Sequence, residues 1–303
     1  IFISIFIFFI FHKSQNNNSN KFFIFSKETS IIINNWFMMY FLSVILIGTV
    51  YPIFLDVISS QKISVGPPFY HRLIIPALIV FLIFMAIGPQ LNWIKSELKD
   101  KLYLVVFFIT SLILSFLINK NFDNDLLINT ILIGSGFYLF FVTTRDFLLK
   151  RLKNLHQNLA HFGFSLLILS ILFNNIFSNE IITNLKVGES FKNDKFEITF
   201  NNLVPINQKN YLSLKGSFSI IEKNNLKNEL EPELRIYNQP NIITSEADIK
   251  TTLFSDKFIT MNKVQNKEYF NIRYQNKPFM IWIWISVLLI SLGGLLSLFK
   301  KKI

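Results

Sequence analysis

Four histidines are the residues of this 303-residue chain best suited to hold a metal or a haem iron, because it contains no cysteine. Thiolate ligands, disulfides and thiol nucleophiles are therefore excluded. His12 lies in an Asn-rich polar stretch, and His156 stands among Lys153, Asn154 and Gln157. Both read as solvated side chains at a membrane surface. His71 follows Val65-Gly66-Pro67-Pro68-Phe69-Tyr70 and precedes Arg72, at the mouth of an apolar run, where an imidazole is usually an interfacial anchor or solvated and only in the minority of cases a ligand.

His161 differs, because Leu159-Ala160-His161-Phe162-Gly163-Phe164-Ser165 is already inside an apolar run. An ionisable group in a membrane helix is costly and marks a functional site by default. Helical spacing places Ser165 one turn from His161, and Ala160 and Gly163 let a neighbouring helix or a flat macrocycle approach closely. Two readings follow from the residues alone: an axial ligand of a haem, or a neutral imidazole bonded to another helix. One histidine supplies one axial bond, so a haem needs its second ligand elsewhere.

The elements that position these residues are visible as apolar blocks. The chain is 51% hydrophobic with 35 Phe, and only 16% charged, against about 25% in soluble domains. Residues 36–55, 73–88, 102–118, 126–142, 158–177 and 279–299 each approach the length that crosses a hydrocarbon core of about 30 Å. Lipid leaves no alternative to helices for such runs. The stretch 1–11 is shorter; with no charged flank or cleavage site of a signal peptide, it is expected to be the tail of a helix that begins upstream. The fold class is thus a mainly α, polytopic membrane protein, with six full transmembrane helices and a partial N-terminal one.

Alternating the loops across the bilayer puts thirteen basic residues on one side: Lys13, Lys21, Lys27, Lys95, Lys99, Lys101, Arg145, Lys150, Arg151, Lys153 and Lys300–Lys302. The short loops opposite carry Lys62, Arg72 and Lys120. By the positive-inside rule the richer side is cytoplasmic or matrix, and the net charge of +11 reflects topology rather than nucleic-acid binding. The long segment 178–278 then lies outside, between a transmembrane domain over 1–177 and a last helix with its basic tail over 279–303. Its stretches 195–203, 211–221, 233–238, 257–264 and 268–274 alternate apolar and polar residues. They predict a small antiparallel sandwich or barrel close to the membrane. The loop Lys62–Pro68 is stiffened by Pro67-Pro68, which suits a rigid lead into the next helix as well as a binding surface.

Several of these segments together resemble the C-terminal half of the CcmF family of cytochrome c-type biogenesis proteins. They are Ser26-Lys27-Glu28, Gly48-Thr49-Val50-Tyr51-Pro52, Ile63-Ser64-Val65-Gly66-Pro67-Pro68, Ala160-His161-Phe162-Gly163, Pro232-Glu233-Leu234-Arg235-Ile236-Tyr237, Ser245-Glu246-Ala247-Asp248-Ile249 and Lys277-Pro278-Phe279 with Trp282, Trp284 and Gly293-Gly294. The resemblance runs in order over residues 20–300. It implies part of a haem lyase, which joins haem delivered by the chaperone CcmE to the Cys-X-X-Cys-His thiols of apocytochrome c, with a CcmH-type subunit as a further partner. It also implies that His161 is an axial ligand of an integral b-haem.

The tryptophan-rich haem-handling segment of that family has no counterpart here, so the chain is expected to be a fragment or a split-gene product that works with an upstream half. Its membrane would be the bacterial inner membrane or the mitochondrial inner membrane. A membrane assembly scaffold with an extracytoplasmic binding domain, or less directly a transporter, are the alternatives in other classes.

Overall fold

The computed structural model describes residues 23, 25–59, 62–93, 102–120, 126–149, 155–193, 196–222, 227–264 and 268–299. The stretch 1–11 and His12 lie outside them. Among the described residues, six helices are long and apolar enough to cross a membrane. They are α1 (Lys27–Ser59), α2 (Pro67–Ile87), α3 (Leu102–Asn119), α4 (Leu126–Leu149), α5 (Leu155–Phe177) and α6 (Met280–Leu298).

The helices run further than several of the apolar blocks, for local reasons. Helix α1 begins nine residues before the run at 36 because Ser26 caps it: the Thr29 amide donates to Ser26 Oγ at 3.2 Å. Helix α2 begins at Pro67, with Gly66 as its extended N-cap and proline in its first turn. A proline at this position loses no helical hydrogen bond and arrives with the right φ, so the stiff loop is the start of the helix. Helix α4 continues through the polar Thr143-Thr144-Arg145-Asp146, which hydropathy alone assigns to a loop.

The chain divides into two compact units, 1–138 and 139–303. In the first, α1 and α2 pack through Gly48, where an added Cβ would meet the Tyr70 hydroxyl at 2.6 Å. Tyr40 Oη donates to Leu73 O, and the Phe81 ring meets Phe37 and Phe41 edge-on. Helices α3 and α4 are joined by Ser115 Oγ donating to Thr130 O at 2.6 Å and by Asn119 Nδ2 donating to Leu126 O. Such polar bonds hold helices together in lipid, where the hydrophobic effect gives no preference for helix over acyl chain.

In the second unit, the described residues between α5 and α6 include ten strands, which form two antiparallel sheets. One has the order β1 (Asn179–Leu185), β10 (Phe270–Pro278), β9 (Ser255–Lys263), β8 (Asp248–Thr251). The other has the order β2 (Ser190–Lys192), β3 (Phe196–Asn207), β4 (Tyr211–Glu222), β6 (Glu233–Asn238), β7 (Asn241–Glu246), with β5 (Lys227–Leu230) also paired to β4. Alternate residues of both sheets face inward and build one core: Phe196, Ile198, Phe200, Phe218, Ile220, Leu234, Ile259, Met261, Ile272 and Tyr274 among others. Phe200 and Phe218 stack at 4.3 Å within it. Of the sandwich or barrel expected from alternation, the sandwich is the form present, with five strands among the described residues beyond those the alternation marks. Strands β1, β2, β5, β7 and β8 are short or polar, and they are strands because of their partners rather than their own pattern.

Lys257 points into the end of this core and is closed off by an ion pair with Glu222 of the facing sheet. Ser245 Oγ donates to Met261 O at 2.7 Å, tying β7 to β9. The first and last strands are neighbours, with Asn179 opposite Asn276. The helices that enter and leave the sandwich therefore emerge side by side.

Candidate functional site

Helix α5 is the element that carries His161, and its faces are defined by their contacts. On one side the Ser165 hydroxyl, fully buried, lies 2.8 Å from the Thr143 hydroxyl of α4. Ser165 Oγ is also within bonding distance of Phe162 O, and Thr143 Oγ1 of Leu139 O. One hydroxyl thus donates across the helices while the other donates to its own backbone. Phe162 stacks on Phe147 at 5.3 Å and meets Phe140 at 5.8 Å on the same side. Below them Asn158 Nδ2 reaches the carbonyl oxygen of Asp146.

On the nearly opposite side α5 packs on α6 through small residues. A Cβ added at Gly163 would lie 3.0 Å from the Ile290 backbone nitrogen. One added at Gly293 would lie 2.8 Å from both the Ala160 nitrogen and the His156 oxygen. Backbone meets backbone here, as small residues permit. The close approach expected at Ala160 and Gly163 is therefore that of a helix.

At roughly 100° per residue, His161 falls on the flank between these two faces, with Gln157, Phe164 and Ile168. All four are partly exposed. His161 thus shares its flank with the polar Gln157 as well as with Phe164 and Ile168, apart from the residues whose contacts with α4 and α6 are given above. Ser165, one turn on, is turned to Thr143 instead. An imidazole on a membrane-type helix can supply one axial bond to a haem.

His71 is exposed in the second turn of α2, and His156 sits at the start of α5 with its carbonyl against Gly293. Among the described residues, no three His, Asp or Glu side chains gather as they would around a metal ion. Thr143 and Gly293 were not singled out by the sequence for these roles. The small-residue spacing of Ala160 and Gly163, matched by Gly293, is the signal by which the second contact is legible.

The sandwich carries its own polar features. Arg235 bonds Glu233 at 3.0 Å and lies over the Tyr211 ring, while Glu233 raises its already high pKa further. Arg273 of β10 bonds Glu180 of β1 at 2.6 Å and holds that carboxyl below the usual range. Burial pushes the Tyr274 hydroxyl upward, so it stays neutral.

These elements define a multi-pass, membrane-type helical protein with a β-sandwich inserted before its last helix. Residues 176–278 match the family model described as the CcmF C-terminal β-sandwich. The chain is 27% identical over 324 residues to the cytochrome c-type biogenesis protein CcmF of Pseudomonas fluorescens, covering 100% of this chain and 49% of that protein. It is 24% identical to CcmF of Escherichia coli strain K12, covering 96% of this chain and 46% of the relative. A solved structure of a cytochrome c haem lyase CcmF superposes with a TM-score of 0.68 at 19% identity, over 90% of this chain and 46% of that one, which establishes a common fold. The resemblance to CcmF thus holds along the chain, which spans about half the length of the curated relatives it matches.

Proposed function

We propose that this chain is the part of a cytochrome c haem lyase that carries one axial ligand of a resident b-haem and an extracytoplasmic docking domain. The observation that carries the reading is the place of His161, on the flank of α5 left between the faces that meet α4 and α6, in a chain similar to CcmF over its length. Haem bound there would supply a one-electron redox centre. The chain's own contribution is to fix the imidazole: Ser165 and Phe162 lock α5 against α4, and Gly163 and Ala160 lock it against α6. The apolar neighbours Phe164 and Ile168 would face the macrocycle and exclude water.

In this reading the second ligand and the haem-handling surface come from an upstream half of the lyase. The sandwich faces the periplasm or intermembrane space, where the haem chaperone CcmE, a CcmH-type subunit and apocytochrome c are its partners. The orientation rests on the basic residues of the short loops.

Co-expression with the upstream half, purification in detergent and a reduced optical spectrum test the assignment. The expected result is a b-type spectrum in the wild type that is lost or reduced at least tenfold per protein in His161→Ala. Equal haem in both would remove His161 as the ligand. A wild type without haem would overturn the haem-bearing reading altogether.

A further inference from the structure

The β8–β9 hairpin ends in a turn built to be rigid. The Thr252 amide donates to Ser255 O at 2.9 Å, Thr252 Oγ1 donates to the same oxygen, and the Ser255 amide donates to Thr252 Oγ1. A turn exposed to water normally carries Gly, Pro, Asn, Asp or Ser at its tip. This one carries Leu253 and Phe254, 54% and 64% exposed, and Ile249 on the adjoining strand is 57% exposed.

The turn is also pegged to the first turn of α6. The Phe279 amide donates to Phe254 O at 2.8 Å, and the Trp282 indole Nε1 donates to Leu253 O at 3.0 Å. Phe279 adopts φ 60°, a left-handed conformation rare for a bulky residue, at the corner where β10 turns into the helix. Trp282 and the 65% exposed Trp284 are the kind of residue that collects where a membrane helix meets water. A turn hydrogen-bonded to such an indole lies at the same depth. Lys250 is exposed beside the turn, and Lys277 is partly exposed over the Phe258 ring. Lysines suit the phosphate level while the apolar tip lies deeper. Asp256, the nearest acid on the hairpin, stands opposite Lys277 in the β9–β10 register.

We propose that the β8–β9 turn is a third membrane anchor of the sandwich, with Ile249, Leu253 and Phe254 seated in the phospholipid interface beside α6. With α5 and α6 it makes three points of attachment, which fix the tilt of the sandwich on the bilayer rather than only its distance from it. The inference rests on the hairpin and α6 and is independent of any haem.

The lack of cysteine makes the test direct. Single-cysteine variants Phe254→Cys, Lys250→Cys and Lys209→Cys of the full chain are nitroxide-labelled, reconstituted in phosphatidylcholine vesicles, and relaxed by oxygen or by a water-soluble nickel chelate. Lys209, in the exposed β3–β4 turn, is the aqueous reference. The label at 254 is expected to collide several-fold more with oxygen relative to nickel than the label at 209, with 250 in between. Labels at 254 and 250 as open to nickel as the label at 209 would overturn the proposal. Lys250→Cys alters no bond of the turn, so its comparison with 209 decides the matter if Phe254→Cys does not fold.

Discussion

Asn174, in the last turn of α5, donates from Nδ2 to the carbonyl oxygen of Pro278, the last residue of β10, at 2.6 Å. The two residues are 104 positions apart. The bond joins the helix that leads into the sandwich to the strand that leads out of it, and Phe173 meets Phe279 at 5.3 Å beside it. Helix pair and strand pair therefore continue into one another as a single four-element stem.

Removing that bond should loosen the stem. Asn174→Ala leaves the Pro278 carbonyl without this partner at a partly buried site, a change worth about 1–3 kcal/mol. Faster amide hydrogen exchange at Phe279 and the β1–β10 ladder, with the distal β3–β4 ladder unchanged, is the expected signature. Equal exchange in wild type and variant would show that the bond contributes nothing.

The glycine pair of α6 should behave asymmetrically. Gly293→Ala forces backbone atoms of α5 apart, whereas a Cβ on Gly294 meets nothing within 4 Å. Overpacking of this kind costs about 1–3 kcal/mol. Gly293→Ala is expected to lower the thermal midpoint in detergent by several degrees, and Gly294→Ala to leave it in place. Similar midpoints for the two would contradict the tight crossing.

Thr143 and Ser165 should be energetically coupled. Interhelical hydrogen bonds in membranes contribute about 0.6 kcal/mol on average and up to about 1.7. Unfolding of Thr143→Val, Ser165→Ala and the double variant should give single effects that fail to add by that amount. Strict additivity would mean the hydroxyls do not depend on each other.

Acid should weaken the β1–β10 pairing through Glu180. The hydrogen bond from Arg273 is the main reason its carboxyl lies below the ordinary value, with Gln275 adding to it. A group depressed on folding stabilises above its unfolded pKa, about 4.3 for Glu, and that contribution disappears as pH falls through the lower folded value. Hydrogen-exchange protection of β1 should therefore decline below about pH 4 in the wild type. It should be flatter with pH in Glu180→Gln.

Much of this protein is legible in local sequence, because hydropathy and periodicity are properties of a short window. The apolar runs mark the helices, the alternation in Phe196–Phe200 and Phe258–Met261 marks inward-facing strands, and His161 is visible as an imidazole inside a membrane run. What a window cannot contain is the partner. Ala160 and Gly163 suit a macrocycle as well as a helix until Gly293 is placed against them. Ser165 shares a helical side with His161 until Thr143 takes its hydroxyl. Asn179–Leu185 carries too few apolar residues to announce a strand, yet it is one because β10 offers its edge. The peg of Leu253 and Phe254 to α6 joins residues 25 and more positions apart through backbone carbonyls, which have no side-chain signature at all. The apolar blocks, each legible in a window of about twenty residues, mark this as a membrane-type chain. Tertiary contacts decide which faces of α5 meet α4 and α6 and how the β8–β9 turn is tied to the start of α6.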